Sequence, residues 1–170
     1  MQQAHTSKNQ DSTPAVGHSK HEKSMYNRFV LMAILMFFAM YFIMFSMVDR
    51  LENVIPNLNN FYMTLLMVSA MLLIEILIMR KMYPNKTYNF LIIGISVALG
   101  IFAWFGIRNQ MNINDKEFVR GMIPHHAAAI LMSEKANLSD PELIELKKNI
   151  LKTQAQEIEL MRRKLDEMNK

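Results

Sequence analysis

Three long apolar segments constrain the fold of this chain more than any other feature. They comprise residues 29–48, 61–79 and 90–107, and Glu75 is the only charged residue inside them. Each segment is close to the roughly 20 residues that a helix needs to cross a hydrocarbon core about 30 Å thick. Since a helix satisfies its own backbone hydrogen bonds in lipid, the segments predict three transmembrane helices in an all-α protein.

Basic residues flank these segments unevenly, and this predicts an orientation. The tail before the first segment and the second loop are basic, whereas the first loop carries only Arg50. The basic positions are Lys8, Lys20, Lys23 and Arg28 in the tail, and Arg80, Lys81 and Lys86 in the second loop. The positive-inside rule predicts a cell (inner) membrane protein with a cytoplasmic N-terminus and an extracytoplasmic C-terminal domain. The net charge of +4 is therefore explained by a membrane, and nucleic acid is not an expected partner.

The same pattern divides the chain into three regions. Residues 1–27 are polar, hold almost no large apolar side chain and are predicted to be a disordered cytoplasmic tail. A transmembrane region over 28–108 and an extracytoplasmic helical domain over 109–170 follow. Within the tail, His18 and His21 could hold a metal ion transiently, although a solvated tail is the ordinary interpretation.

Methionine is abundant and cysteine is absent, with 17 and 0 copies among 170 residues. Disulfides and thiolate metal sites are therefore excluded. The methionines of the first two segments recur at helical spacing, and two interpretations stay open. They either fill gaps between helices or form a thioether ladder for Cu(I), with Glu75 turned inward. The positions are Met32, Met36, Met40, Met44 and Met47, then Met63, Met67, Met71 and Met79. The third segment offers small-residue packing faces instead, at Gly94 with Ala98 and at Ser96 with Gly100.

Capping signals predict a helical hairpin in the C-terminal region. Asn114 is a helix cap, with Glu117 positioned to reach back to it, and this helix is expected to run to about residue 135. Residues 136–139 make the turn, after which Asp140 and Pro141 begin the last helix. If the chain folds back near Leu138, Met122 lies roughly opposite Gln154.

One face of the first hairpin helix carries imidazoles and thioethers. Met122, His125, His126 and Met132 fall within an arc of about 120°. Such soft and borderline ligands suit copper, above all Cu(I). The alternative is that methionine fills the core and the histidine pair forms hydrogen bonds. Pro124 lies within this helix, so a kink or restart is expected there.

Two motifs resemble the family known as domain of unknown function 305. They are the run 118–132 with its Met-Ile-Pro-His-His-Ala core, and Gln-Ala-Gln-Glu-Ile-Glu-Leu-Met at 154–161. The resemblance implies a small helical domain outside the cytoplasm, associated in some members with copper binding and copper tolerance. The candidate metal ligands that it implies are Met122, His125, His126, Met132 and Met161, with Glu157 as a further polar member. Many relatives carry two such hairpins, whereas this chain carries one, half of a four-helix, ferritin-like bundle.

These observations favour a membrane-anchored copper-binding protein that captures copper, Cu(I) above all, and either buffers it or hands it to a copper-handling partner protein, contributing to copper tolerance or trafficking. The alternative is a structural or interaction module without metal, which dimerises through its C-terminal hairpin into a four-helix bundle. Catalysis is not expected, because the chain lacks Glu-x-x-His pairs, a His-Glu-x-x-His signature and a nucleophile elbow.

Overall fold

The computed structural model describes residues 16–170, with side chains from residue 23 onward. Within them the chain is all-α, as predicted, and contains no strand. The five α-helices are α1 (Val16–Ile43), α2 (Leu58–Ile78), α3 (Lys86–Arg108), α4 (Asp115–Lys135) and α5 (Pro141–Glu167). Two short 3-10 helices, Met44–Met47 and Leu51–Asn53, lie in the connection between α1 and α2.

The first helix begins earlier than the polar tail suggested. Residues 16–27 were expected to be disordered, yet α1 starts at Val16. An apolar helix that has already nucleated extends at little cost, because each added residue gains a hydrogen bond without a new nucleus. Residues 1–15 of the predicted tail lie outside the described part of the chain, and so do the side chains of His18 and His21.

Three helices are long and apolar enough to cross a membrane. These candidate spans are Lys23–Met47, Leu58–Ile78 and Lys86–Arg108, each with a mean hydropathy of 2.3 or 2.4. The central helix of the group is α2, which packs against both α1 and α3. Large apolar side chains on the outer faces, such as Leu35, Ile74 and Phe90, are exposed and suited to contact lipid.

Small residues on α3 allow a close approach to α2. A Cβ atom added at Gly106 would lie 2.9–3.0 Å from three atoms of the Tyr62 ring, and one added at Gly100 would lie 2.9 Å from the Ser69 hydroxyl. At Gly94 it would meet nothing within 4 Å. Of the two small-residue faces in the sequence, the one that contains Ser96 and Gly100 is therefore the packing interface, and the Gly94 face is open.

The remaining helices, α4 and α5, form the predicted hairpin. Asn114 accepts a hydrogen bond from the Glu117 amide, and Asp140 accepts one from the Leu143 amide, so both predicted caps are present. The helix continues through Pro124 without a restart. A core between the two helices consists of Val119, Ile123, Ala127, Ile130 and Ile158. This is a single hairpin, and a four-helix, ferritin-like arrangement stays a prediction.

Polar contacts connect the hairpin of α4 and α5 to one end of the candidate spans. The Glu117 carboxylate does not reach back to Asn114; one oxygen accepts a hydrogen bond from the Leu58 amide at 3.2 Å. Its other oxygen lies 2.8 Å from Arg120. Arg162 on α5 donates to the Asn53 side chain in the first loop at 2.7 Å. Glu117 thus supports the beginning of α2, where unpaired amides favour a negative charge.

Candidate metal site

The site is organised around His126, whose ring is buried between α4 and α5. The residue is 8% exposed. Its Nδ1 lies 3.0 Å from the backbone carbonyl oxygen of Met122, one turn earlier on α4. Its Nε2 lies 2.8 Å from a carboxylate oxygen of Glu157 on α5. Both ring nitrogens therefore have partners, and the ring orientation is fixed from two sides.

The two partners determine where protons must lie. A carbonyl oxygen can only accept a hydrogen bond, so Nδ1 carries a proton. Nε2 faces the Glu157 carboxylate at 2.8 Å, and this contact is an ion pair only when the imidazole is protonated. Nε2 is thus the ring nitrogen that does not face a backbone carbonyl.

The hairpin brings together a different pair of turns from the pair expected. A fold about Leu138 would place Met122 opposite Gln154 and His126 opposite Ile150. In the structure His126 meets Glu157, which lies about two helical turns after Ile150 on α5. The backbone is extended at both Ala136 and Asp140, so the connection is not a tight turn. The first turns of α5 therefore lie beyond the end of α4, which displaces the pairing.

The other predicted ligands are distributed around this pair. His125 is exposed, and its ring centroid lies 6.3 Å from that of His126. Met132 is also exposed, at 52%, whereas Met161 packs against the hairpin core. Met122 is half-buried and contributes its carbonyl. The structure therefore joins Met122, His126 and Glu157 through direct contacts, and His125, Met132 and Met161 have no hydrogen bond to this pair among the described residues.

Within residues 23–170, no group of three or more His, Cys, Asp or Glu side chains could hold a metal ion by itself. Apart from Glu157, the predicted ligands are imidazole and thioether groups, which are soft to borderline donors. The Glu157 side chain is 52% exposed, so it can turn toward solvent and release Nε2.

The resemblance assigned Glu157 to the site, and its carboxylate contacts Nε2 of His126. The contact of the Met122 carbonyl with Nδ1 was not predicted. The sequence gives little indication of this carbonyl contact, because every helical histidine has a residue four positions before it.

Comparisons with known proteins agree with these motifs. Residues 107–165 match the family described as "Domain of unknown function (DUF305)". The chain is 36% identical over 141 residues to the uncharacterized protein L153 of Acanthamoeba polyphaga mimivirus, an alignment covering 81% of this chain and 91% of the viral protein. No solved structure matches the chain. The chain therefore belongs to the same family as this viral protein. Helices α4 and α5 of this chain lie in the region that matches DUF305.

Proposed function

We propose that this protein is a membrane-anchored, extracytoplasmic copper-binding protein that captures or buffers copper and contributes to copper tolerance or trafficking. One observation supports this proposal above others. The Met122 carbonyl holds Nδ1 of His126 at 3.0 Å and so turns Nε2 toward Glu157 on α5. Outer-shell hydrogen bonds of this kind fix the tautomer and direction of histidine ligands in metal sites.

The proposed ligands are soft donors, with Cu(I) as the favoured ion. They are Met122, His125, His126, Met132 and Met161, with Glu157 as a further polar member of the site. Thioethers carry no proton to displace, whereas an imidazole must be neutral at the ligating nitrogen. His126 contributes that nitrogen, and the exposed His125 and Met132 side chains can turn toward the same ion.

The proposal includes a place and an orientation. The N-terminus lies in the cytoplasm and the hairpin outside it, in a cell (inner) membrane, because the tail and second loop are basic. Reporter fusions at residue 170 and in the second loop test this. An extracytoplasmic signal at residue 170 with a cytoplasmic signal in the loop is expected, and the reverse pattern would refute the compartment.

Copper binding is tested by anaerobic competition between the full-length chain in mild detergent and a Cu(I) chelator. We expect a triple alanine variant at Met122, His125 and His126 to lose most of the affinity. M82L and the tail variant H18A/H21A are the controls and should retain it, since Met82 is an exposed residue at the opposite end of the spans. Equal affinities of wild type and triple variant would reject the proposal.

A structural module without metal is the alternative, and the closed pair of His126 and Glu157 favours it, because the pair is complete without a cation. Exposed apolar side chains at the hairpin tip, including Met132, Leu143 and Leu146, fit its pairing with a second copy. Thermal melts separate the two functions. A ligand at a hundred times its Kd should add about 2.7 kcal/mol to the folded state, whereas the module predicts no copper-dependent shift. Light scattering in detergent tests the homodimer, and a strict monomer would contradict it.

A further inference from the structure

A groove lies at the end of the spans opposite the hairpin, between the end of α2 and the beginning of α3. Its volume is about 590 Å³, within the range of roughly 300–1,000 Å³ that small-molecule sites occupy. Ile76 and Leu77 line it from α2, and Phe90 and Ile93 line it from α3. All four belong to candidate spans, so the wall of the groove lies at the depth of lipid tails.

The apolar wall has both a closed floor and an open side. Ile76 forms the floor and is 1% exposed, whereas Leu77 and Phe90 are 58% and 73% exposed. The groove therefore opens sideways, toward the surrounding lipid, and a long apolar chain can enter without crossing the protein.

Two basic side chains lie at the rim of the groove. Arg80 follows α2 and Lys86 opens α3, so both lie where the spans end and lipid headgroups begin. Within the part of the chain whose side chains are described, neither forms an ion pair. The nearest acidic position along the chain, Glu75, accepts a hydrogen bond from the Tyr83 hydroxyl at 3.1 Å. The rim thus holds uncompensated positive charge.

The polar groups of the groove are otherwise satisfied internally. The Asn89 amide donates to the Tyr83 carbonyl oxygen at 2.8 Å. An uncharged polar ligand therefore finds few free partners, while a ligand with one anionic group and a long apolar tail finds a partner for each part.

We infer that this groove binds an anionic phospholipid. Its phosphate lies between Arg80 and Lys86, and one acyl chain lies along Ile76, Leu77 and Ile93. Basic pockets between helices at a membrane surface recognise anionic headgroups in this way. The inference concerns the opposite end of the molecule from the copper site and is independent of it.

The test uses the full-length chain in detergent micelles and measures bound lipid by native mass spectrometry. Phosphatidylglycerol is the probe, phosphatidylcholine the zwitterionic comparison, and inorganic phosphate the free-anion comparison. R80Q/K86Q removes the rim charges. K23Q/K81Q is the matched control, because it removes two positive charges from the same end of the spans but from outside the groove. Leu77→Trp fills the open side while keeping both charges.

We expect R80Q/K86Q to weaken phosphatidylglycerol binding by roughly 30-fold, about fivefold for each basic residue near the headgroups. K23Q/K81Q should bind nearly as wild type does, and Leu77→Trp should weaken binding although it keeps the charges. Equal losses of affinity in R80Q/K86Q and K23Q/K81Q would show that diffuse electrostatic attraction to the surface, and no specific site, holds the lipid. The inference would also be overturned if the wild type bound phosphatidylcholine as tightly as phosphatidylglycerol, or if inorganic phosphate displaced the lipid.

Discussion

The contact between His126 and Glu157 predicts a specific loss of stability when the carboxylate is removed. In E157A, Nε2 of His126 loses the partner that lies 2.8 Å away. Because the histidine is 8% exposed, its unpaired ring nitrogen becomes a partly desolvated polar group. Since Glu157 itself is half exposed, water can replace part of the lost interaction.

The expected magnitude follows from these two exposures. A hydrogen bond to a charged group contributes about 1.5–3 kcal/mol when it is protected, and an exposed ion pair contributes about 0.2–1 kcal/mol. One partner here is buried and the other is not, so we expect E157A to destabilise the hairpin by about 1 kcal/mol. The coupling in a cycle of E157A with H126Q should be of the same size.

Amide hydrogen exchange of the full-length chain in detergent measures this quantity locally, without requiring the spans to unfold. A loss of about 1 kcal/mol corresponds to exchange roughly fivefold faster for the protected amides of α5. E159A is the control, because Glu159 is exposed, lies two residues away and forms no ion pair among the described residues. Identical protection in E157A and E159A, or no coupling in the cycle, would refute the reasoning.

Three further outcomes are expected. G106A should destabilise the contact of α3 with α2 by about 1–3 kcal/mol through overpacking, whereas G94A, where nothing lies within 4 Å, should not; thermal melts in detergent compare them. E117A should reduce amide protection at Leu58 by about 1 kcal/mol, since it removes a cap from α2. Burial, and then the hydrogen bond to a carboxylate, raise the pKa of Tyr83 to about 12 from 10.0. The folded state favours the neutral phenol, so the contribution of Tyr83 to the free energy of unfolding is full below pH 10 and is lost as pH rises toward 12. Absorbance titration of wild type against Y83F should show this late-titrating tyrosine.

The sequence predicted most of the fold because its signals are local. Spans are set by the length of apolar runs, and the hairpin is set by Asn114, Asp140 and Pro141, whose effects extend over one turn. The earlier start of α1 was missed, and the restart expected at Pro124 did not occur. Both depend on the stability of the whole helix, which a single residue does not determine.

The site was harder to predict because it depends on register between two helices. Periodicity placed His125 and His126 on one broad face, but only the interhelical pairing buries one and exposes the other. The extended backbone at Ala136 changed that pairing by about two turns, and no local signal indicates the length of such a connection. The docking of Glu117 on Leu58 was missed for the same reason, since the two residues are 59 positions apart.

The position of Glu157 gives the copper proposal a test in which the sign of one effect reports whether this carboxylate competes with the metal or binds it. If His126 binds copper through Nε2, as proposed, the metal must first displace the Glu157 carboxylate from this nitrogen. Cu(I) prefers sulfur and nitrogen to carboxylate oxygen. We therefore expect E157A to bind Cu(I) more tightly than wild type, by up to about fivefold, the equivalent of the free energy of the broken pair. The same chelator competition measures this, with E159A as the matched control. Weaker binding would make Glu157 a direct ligand, whereas no binding in wild type or E157A would leave the pair as a structural contact between two helices.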